Sequence, residues 1–178
     1  MKALFEDFAR YNENANKRIF ELLLANPRTA RVKTNAYYQS FSETLQHIFF
    51  SNDLLFVRIF KDLFPQSAEE TCGEFLDIDE KKYAHFAELF TKDFRQFFEA
   101  RKKMDKIIEI LVSRISEEDF TARKVESYDS SGMAIQEDLW RCLLKAFNHQ
   151  THHRGQITAF LDQMKIENDI SSIAWDSE

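Results

Sequence analysis

The sequence predicts an all-α fold: a four-helix bundle with long inter-helix connections and a small β arm near residues 121–132. Three observations point there. Glycine and proline are scarce, three and two in 178 residues, which leaves little material for the tight turns of a sandwich or barrel. Four stretches carry apolar residues at three- and four-residue steps. The connections between them are too long for a simple up-and-down bundle, so some neighbouring helices are expected to run parallel through crossovers.

The first helix is expected from about Ala3 to Asn26, with Phe5, Phe8, Asn12, Ala15, Ile19 and Leu22 on one face and Pro27 as its stop. The second begins at Ser40 or Ser42 and runs through Leu45, Ile48, Phe49, Asn52, Leu55, Phe56 and Ile59, with Pro65 just beyond. The third covers roughly Glu80 to Val112, with Tyr83, Phe86, Phe90, Phe94, Phe97, Met104, Ile108 and Leu111 inward. The charged residues around 99–109 read as its wet face. The fourth covers roughly Ile135 to Lys165, marked by Leu139, Leu143, Phe147, Ile157, Leu161 and Met164. Between the third and fourth, residues 121–128 followed by Asp129-Ser130-Ser131-Gly132 read as a hairpin or extended arm around a turn. The tail after Glu167, with Ile170, Ile173 and Trp175, either docks on the bundle or frays.

The whole chain, 1–178, reads as one domain with room for a real core. The net charge is −6 and no basic stripe appears, so nucleic acid is not an expected partner. Met1 to Arg10 has no signal-peptide core, and no run of about twenty apolar residues predicts a membrane span. Two lone cysteines, Cys72 and Cys142, make no disulfide framework, and a reducing cytoplasm fits. Cys72 falls in an expected loop and reads as exposed; Cys142 reads as a buried helix residue.

The chain has five histidines, and three lie in Asn148-His149-Gln150-Thr151-His152-His153-Arg154-Gly155-Gln156. His149 and His153, four apart on a helix, share one face and can grip one metal ion, as the pair in H-E-x-x-H helices does. His47, mid-way along the second helix, is the better third ligand. His85, near the start of the third helix, reads as exposed. Three imidazoles would leave a position for water or substrate, the pattern of catalytic zinc, although imidazole also suits nickel, iron and copper. His152 lies about 100° round the helix from His153 and reads as a surface or supporting residue. Cys142 is about 10 Å along the axis from His149, too far to share an ion. Asn148, Gln150 and Gln156 are candidates to orient the imidazoles, each read first as a helix-surface amide. Arg154 reads as structurally paired before it reads as an anion anchor. Gly155 in mid-helix costs about 1 kcal/mol against Ala and suggests a close approach of another helix or ligand. No phosphate loop, nucleophile elbow or paired-cysteine motif competes, and no catalytic residue is identified.

The stretch Asn148 to Ile157 closely resembles the last-helix signature of the DinB family, the damage-inducible DinB/YfiT-like metalloenzymes. Tyr11-Asn12-Glu13-Asn14-Ala15-Asn16-Lys17-Arg18 is similar to the family's first-helix motif, and Leu45-Gln46-His47-Ile48 with Asp53-Leu54-Leu55 and Arg58 to its second. The resemblance covers Ala3 to about Lys165, leaving 166–178 as a tail. It implies a four-helix bundle, a homodimer, and a metal held by His47, His149 and His153. It also implies a metal-dependent enzyme: some relatives are thiol-dependent S-transferases using bacillithiol or mycothiol, and a hydrolase is the other expectation. The expected cofactor is a divalent ion (zinc, nickel or iron), and the expected partners are a second copy and a small-molecule substrate or low-molecular-weight thiol. The rival readings are a non-catalytic metal-binding stress-response bundle and a metal-free helical interaction module.

Overall fold

The computed structural model describes residues 1–128 and 131–173. Helix α1, Lys2–Ala25, buries Phe5, Ala9, Asn12, Ala15, Asn16, Ile19, Phe20 and Leu23 and ends before Pro27. An extended loop follows, pinned by a bridge between Lys33 and Ser40. Helix α2, Phe41–His47, starts at Ser40, whose hydroxyl accepts from the Glu43 N–H at 3.2 Å. Glu43 reaches back to accept from the Gln39 N–H at 2.9 Å. Of the two possible starts, Ser40 is therefore the cap.

The expected second helix continues, but not as a uniform one. Ile48–Asp53 is π-helical before α3, Leu54–Leu63. Ser51 Oγ donates to the carbonyl of His47 at 2.6 Å, and such back-bonding competes with the regular α ladder. The widened turn starts directly after His47; π turns inside helices cluster at functional sites.

The long connection that follows holds structure of its own: α4, Pro65–Cys72, with Pro65 in its first turn, and a short 3₁₀ turn, Gly73–Phe75. Cys72 closes α4 and is buried, not exposed in a loop. The expected third helix is split in two, α5, Glu80–Lys92, and α6, Phe94–Arg114. The break is Asp93, whose carboxylate accepts from the N–H groups of Arg95 and Gln96 and so caps a new helix. Phe90 and Phe97 stack across the break with centroids 4.1 Å apart.

Helix α7, Glu117–Ala122, is capped by Ser116. The β arm lies later than expected: β1, Lys124–Tyr128, pairs antiparallel with β2, Ala134–Asp138, from Lys124↔Asp138 to Tyr128↔Ala134. Residues 121 and 122 end a helix, and Asp129 and Ser130 of the expected turn lie outside the described residues. The last long helix, α8, Leu139–Gln163, starts four residues after Ile135 because β2 holds the chain up to Asp138. Helix α9, Ile170–Ile173, packs on α1 through a buried Ile170, so the tail docks at this point. Trp175 lies outside the described residues.

Contacts between named residues give the helix directions. Asn16 meets Asp105 and Phe20 meets Phe97, so α1 and α6 run antiparallel. Phe5 meets Phe147 and Asn12 meets Arg154, so α1 and α8 run parallel. His47 meets His149 and Asn52 meets the carbonyl of Ala146, so the second segment opposes α8. Phe49 meets Phe97 and Phe60 meets Arg114, so it runs parallel to α6. Two of the four neighbouring pairs are parallel, as the long connections require. All eighteen phenylalanines are buried or half-buried. Twelve of them are buried in this chain's own core, and Phe8, Phe50, Phe64, Phe94, Phe98 and Phe160 are half-buried. No helix among the described residues is long and apolar enough to cross a membrane.

Candidate metal centre

The helices bring His47, His149 and His153 together. One nitrogen of each lies within 4.8 Å of the others. His149 Nε2 is 3.3 Å from His47 Nε2 and 3.1 Å from His153 Nε2. A tetrahedral ion with Zn–N bonds of about 2.0–2.1 Å separates its ligand atoms by about 3.3–3.4 Å. The spacing fits one first-row divalent ion.

The groups behind two of these imidazoles fit the same reading. Gln156 donates through Nε2 to His152 at 3.2 Å, which turns its Oε1 toward His153 Nδ1 at 2.8 Å. That oxygen can only accept, so His153 carries its proton on Nδ1 and leaves Nε2 free. Tyr38 lies against His47, rings 4.2 Å apart, with its hydroxyl 2.6 Å from Nδ1. His149 Nδ1 is buried without a hydrogen-bond partner among the described residues. A cation standing among the three imidazoles would be attracted by each Nε2 lone pair turned toward the cluster.

Burial lowers the pKa of all three imidazoles. His47 falls to about 4, first by burial and then by the neighbouring His153 and His149. His149 and His153 fall for the same leading reason. A group with a depressed folded pKa binds fewer protons folded than unfolded. Its contribution to stability is therefore intact above the unfolded value of about 6.5 and is lost as pH falls toward the folded value. For His47 that window runs from 6.5 to about 4. The metal-free protein should lose stability across it. Metal-induced stabilisation should persist below pH 6, where free imidazoles are already protonated. A melting series with and without metal from neutral pH to about 4 checks this; release centred at the free-imidazole pKa of about 6.5 would contradict it.

A polar ring buried beneath the histidines joins four helical segments. Arg101 donates to Asp53 and, through Nε, to Asp105 at 3.0 Å. Asp105 accepts from Asn12 at 3.1 Å and Asn16 at 2.9 Å. The oxygens of both asparagines accept from Arg154. Arg154 also reaches Gln150 Oε1 at 3.3 Å, and Gln150 Nε2 closes the ring on Asp53 at 2.6 Å. Burial pushes both carboxyls up while Arg101 pulls them back. Burial also pulls the Arg154 guanidinium down, to about 10. The ring fixes the face of α8 that carries His149 and His153 and, through Asp53, the π turn that follows His47.

Several expectations change here. Gln150 is wholly buried rather than a surface amide, and Arg101 and Asp105 are buried rather than part of a wet face. Arg154 is structurally bound, to amide oxygens rather than an acid. Gly155 has nothing within 4 Å of where a Cβ would stand, so no close approach explains it. Gln156 supports His153, while Asn148, His85 and His152 are exposed as read. Sequence reasoning missed Tyr38, whose only signal was its position shortly before the helix of His47. A cleft of about 840 Å³ opens beside the histidines, with His47 and His149 on its wall.

A four-segment helical bundle with three converging imidazoles defines a class, the helical bundles with a three-histidine cluster that could hold a metal ion. The chain belongs to one family within it: the model of the DinB family matches residues 1–167. No curated protein and no solved structure matches the chain.

Proposed function

We propose that this protein is a divalent-metal-dependent enzyme, with His47, His149 and His153 as ligands of one zinc, nickel or iron ion. The convergence of three imidazoles carries the reading: His149 Nε2 lies 3.3 Å from His47 Nε2 and 3.1 Å from His153 Nε2, and the three ligand nitrogens fall within 4.8 Å of one another. When bound, the ion supplies Lewis acidity and lowers the pKa of a water or thiol beside it. Gln156 and Tyr38 hold their imidazoles in the orientation that presents Nε2. Ser51 Oγ lies 3.3 Å from His47 Nε2 while its proton is held by the His47 carbonyl, so it faces the cluster as an acceptor. The apolar cleft wall, with Phe50, Leu54 and Leu55, limits water.

The reaction class is transfer to or from a low-molecular-weight thiol, with hydrolysis as the second reading. An open cleft on a three-ligand cluster favours catalysis over a purely structural ion, which takes a closed set of four. Metal analysis of protein purified without a histidine tag, followed by a thiol-dependence assay, tests both halves. Absence of bound metal after saturation and desalting would remove the proposal. A homodimer is part of the same proposal and rests on the family alone. Sedimentation showing a monomer at tens of micromolar would remove it.

A further inference from the structure

Arg58, part of the second-helix motif, has no role in the metal cluster or the buried ring. It lies on the wall of the cleft that holds His47 and His149. Its guanidinium rests on the Tyr128 ring at 5.0 Å and donates once, to the carbonyl of Glu126 at 3.2 Å. Its buried Nε has no hydrogen-bond partner among the described residues. Among the described residues no carboxylate pairs with it. The two other cations of the cleft are already engaged, Lys61 by Asp77 at 2.7 Å and Lys145 by Glu137 at 2.8 Å. Arg58 is thus fixed in place by an aromatic face and a carbonyl, with charge and donors to spare. A guanidinium held this way is preorganised for a planar anion and gives up little entropy on binding it.

The cleft connects Arg58 with the histidines. Arg58 is eleven residues beyond His47, at most about 16 Å even at the full rise of an α-helix, and the π turn between them shortens the span. Between the two ends the wall is apolar, with Phe50, Leu54, Leu55, Phe75 and Ile78. The volume lies in the range of clefts that enclose a small molecule. With Lys61 and Lys145 neutralised by Asp77 and Glu137, Arg58 is the cation of the cleft whose charge no described carboxylate engages at ion-pair distance.

We propose that the cleft takes an elongated small molecule with an apolar middle. Its terminal carboxylate docks on Arg58, and its other end reaches the three histidines. This deepens the proposed function and relies on the histidines as a metal site only for the second end of the ligand.

Two arms of one experiment separate these dependences. In metal-free protein, hexanoate and hexanamide are titrated while the Arg58 Nε–H resonance and the cleft resonances are followed by NMR. Hexanoate is expected to bind at least about tenfold more tightly, the scale of one charge-assisted hydrogen-bonded contact. Arg58→Gln should abolish that preference without altering metal affinity. Equal binding of acid and amide to the wild type would overturn the subsite, and this comparison needs no variant to fold. A preference kept by Arg58→Gln would overturn it too.

In the second arm, metal-loaded protein is titrated with mercaptoalkanoates and mercaptoalkanols of graded chain length. The carboxylate advantage should peak at one length and disappear in Arg58→Gln. An advantage equal at every length would overturn the bridging pose. Failure to load metal while the hexanoate preference persists would sink the proposed function and leave the subsite standing.

Discussion

Arg101→Met is expected to lower stability by about 3–5 kcal/mol, because it breaks a buried ion pair on one side only. In a chain of this size that corresponds to a melting temperature lower by about 10 °C. Asp53 and Asp105 are 0% and 2% exposed. Without the guanidinium both carboxylates stay out of water, and Arg154 compensates only through amide oxygens. The loss should shrink at acid pH, where the stranded carboxyls take up protons. Adding Asp53→Asn and Asp105→Asn should recover part of it, since removing all charges of a buried cluster costs less than removing one. Thermal melts of the three proteins check this. A single variant that melts with the wild type would show that the ring contributes nothing to stability.

The second large effect concerns the metal. His47→Ala, His149→Ala and His153→Ala should each abolish measurable binding of one divalent ion, while His152→Ala should leave the affinity near that of the wild type. The exposed His152 touches the cluster only through Gln156 and the edge of His153. Tyr38→Phe and Gln156→Leu should fall between, weakening affinity by about 10–100-fold, the usual effect of losing a group that orients a ligand. Competitive titration against a chelating dye measures all six variants. Wild-type affinity in the three ligand variants would remove the site.

His149 and His153 could be paired from the sequence because a helix repeats every 3.6 residues and places i and i+4 on one face. The four long segments were legible for the same reason, and their long connections correctly required parallel neighbours. The connections themselves were harder to read. Asp93 breaks what the phenylalanine spacing presents as one helix, since a cap is a local competition that apolar periodicity does not register. The β arm was legible near 121–132; only its limits differ, because α7 occupies the start of that segment and β2 runs on to Asp138.

Other features depended on which helices meet. Arg101 and Asp105 sit among charged neighbours and read as solvated; packing of α6 against α1 and the π turn buries them with Asn12, Asn16, Asp53, Gln150 and Arg154. Tyr38 finds His47 only because the loop before α2 folds back over it. The sequence by itself determined the helical segments and the histidine pair, because both follow from the period of one helix. Only the tertiary structure decided the polar ring, the tyrosine at His47 and the cleft that joins the histidines to Arg58. Each of these is made of residues far apart in the chain, and their contact depends on how separate helices pack.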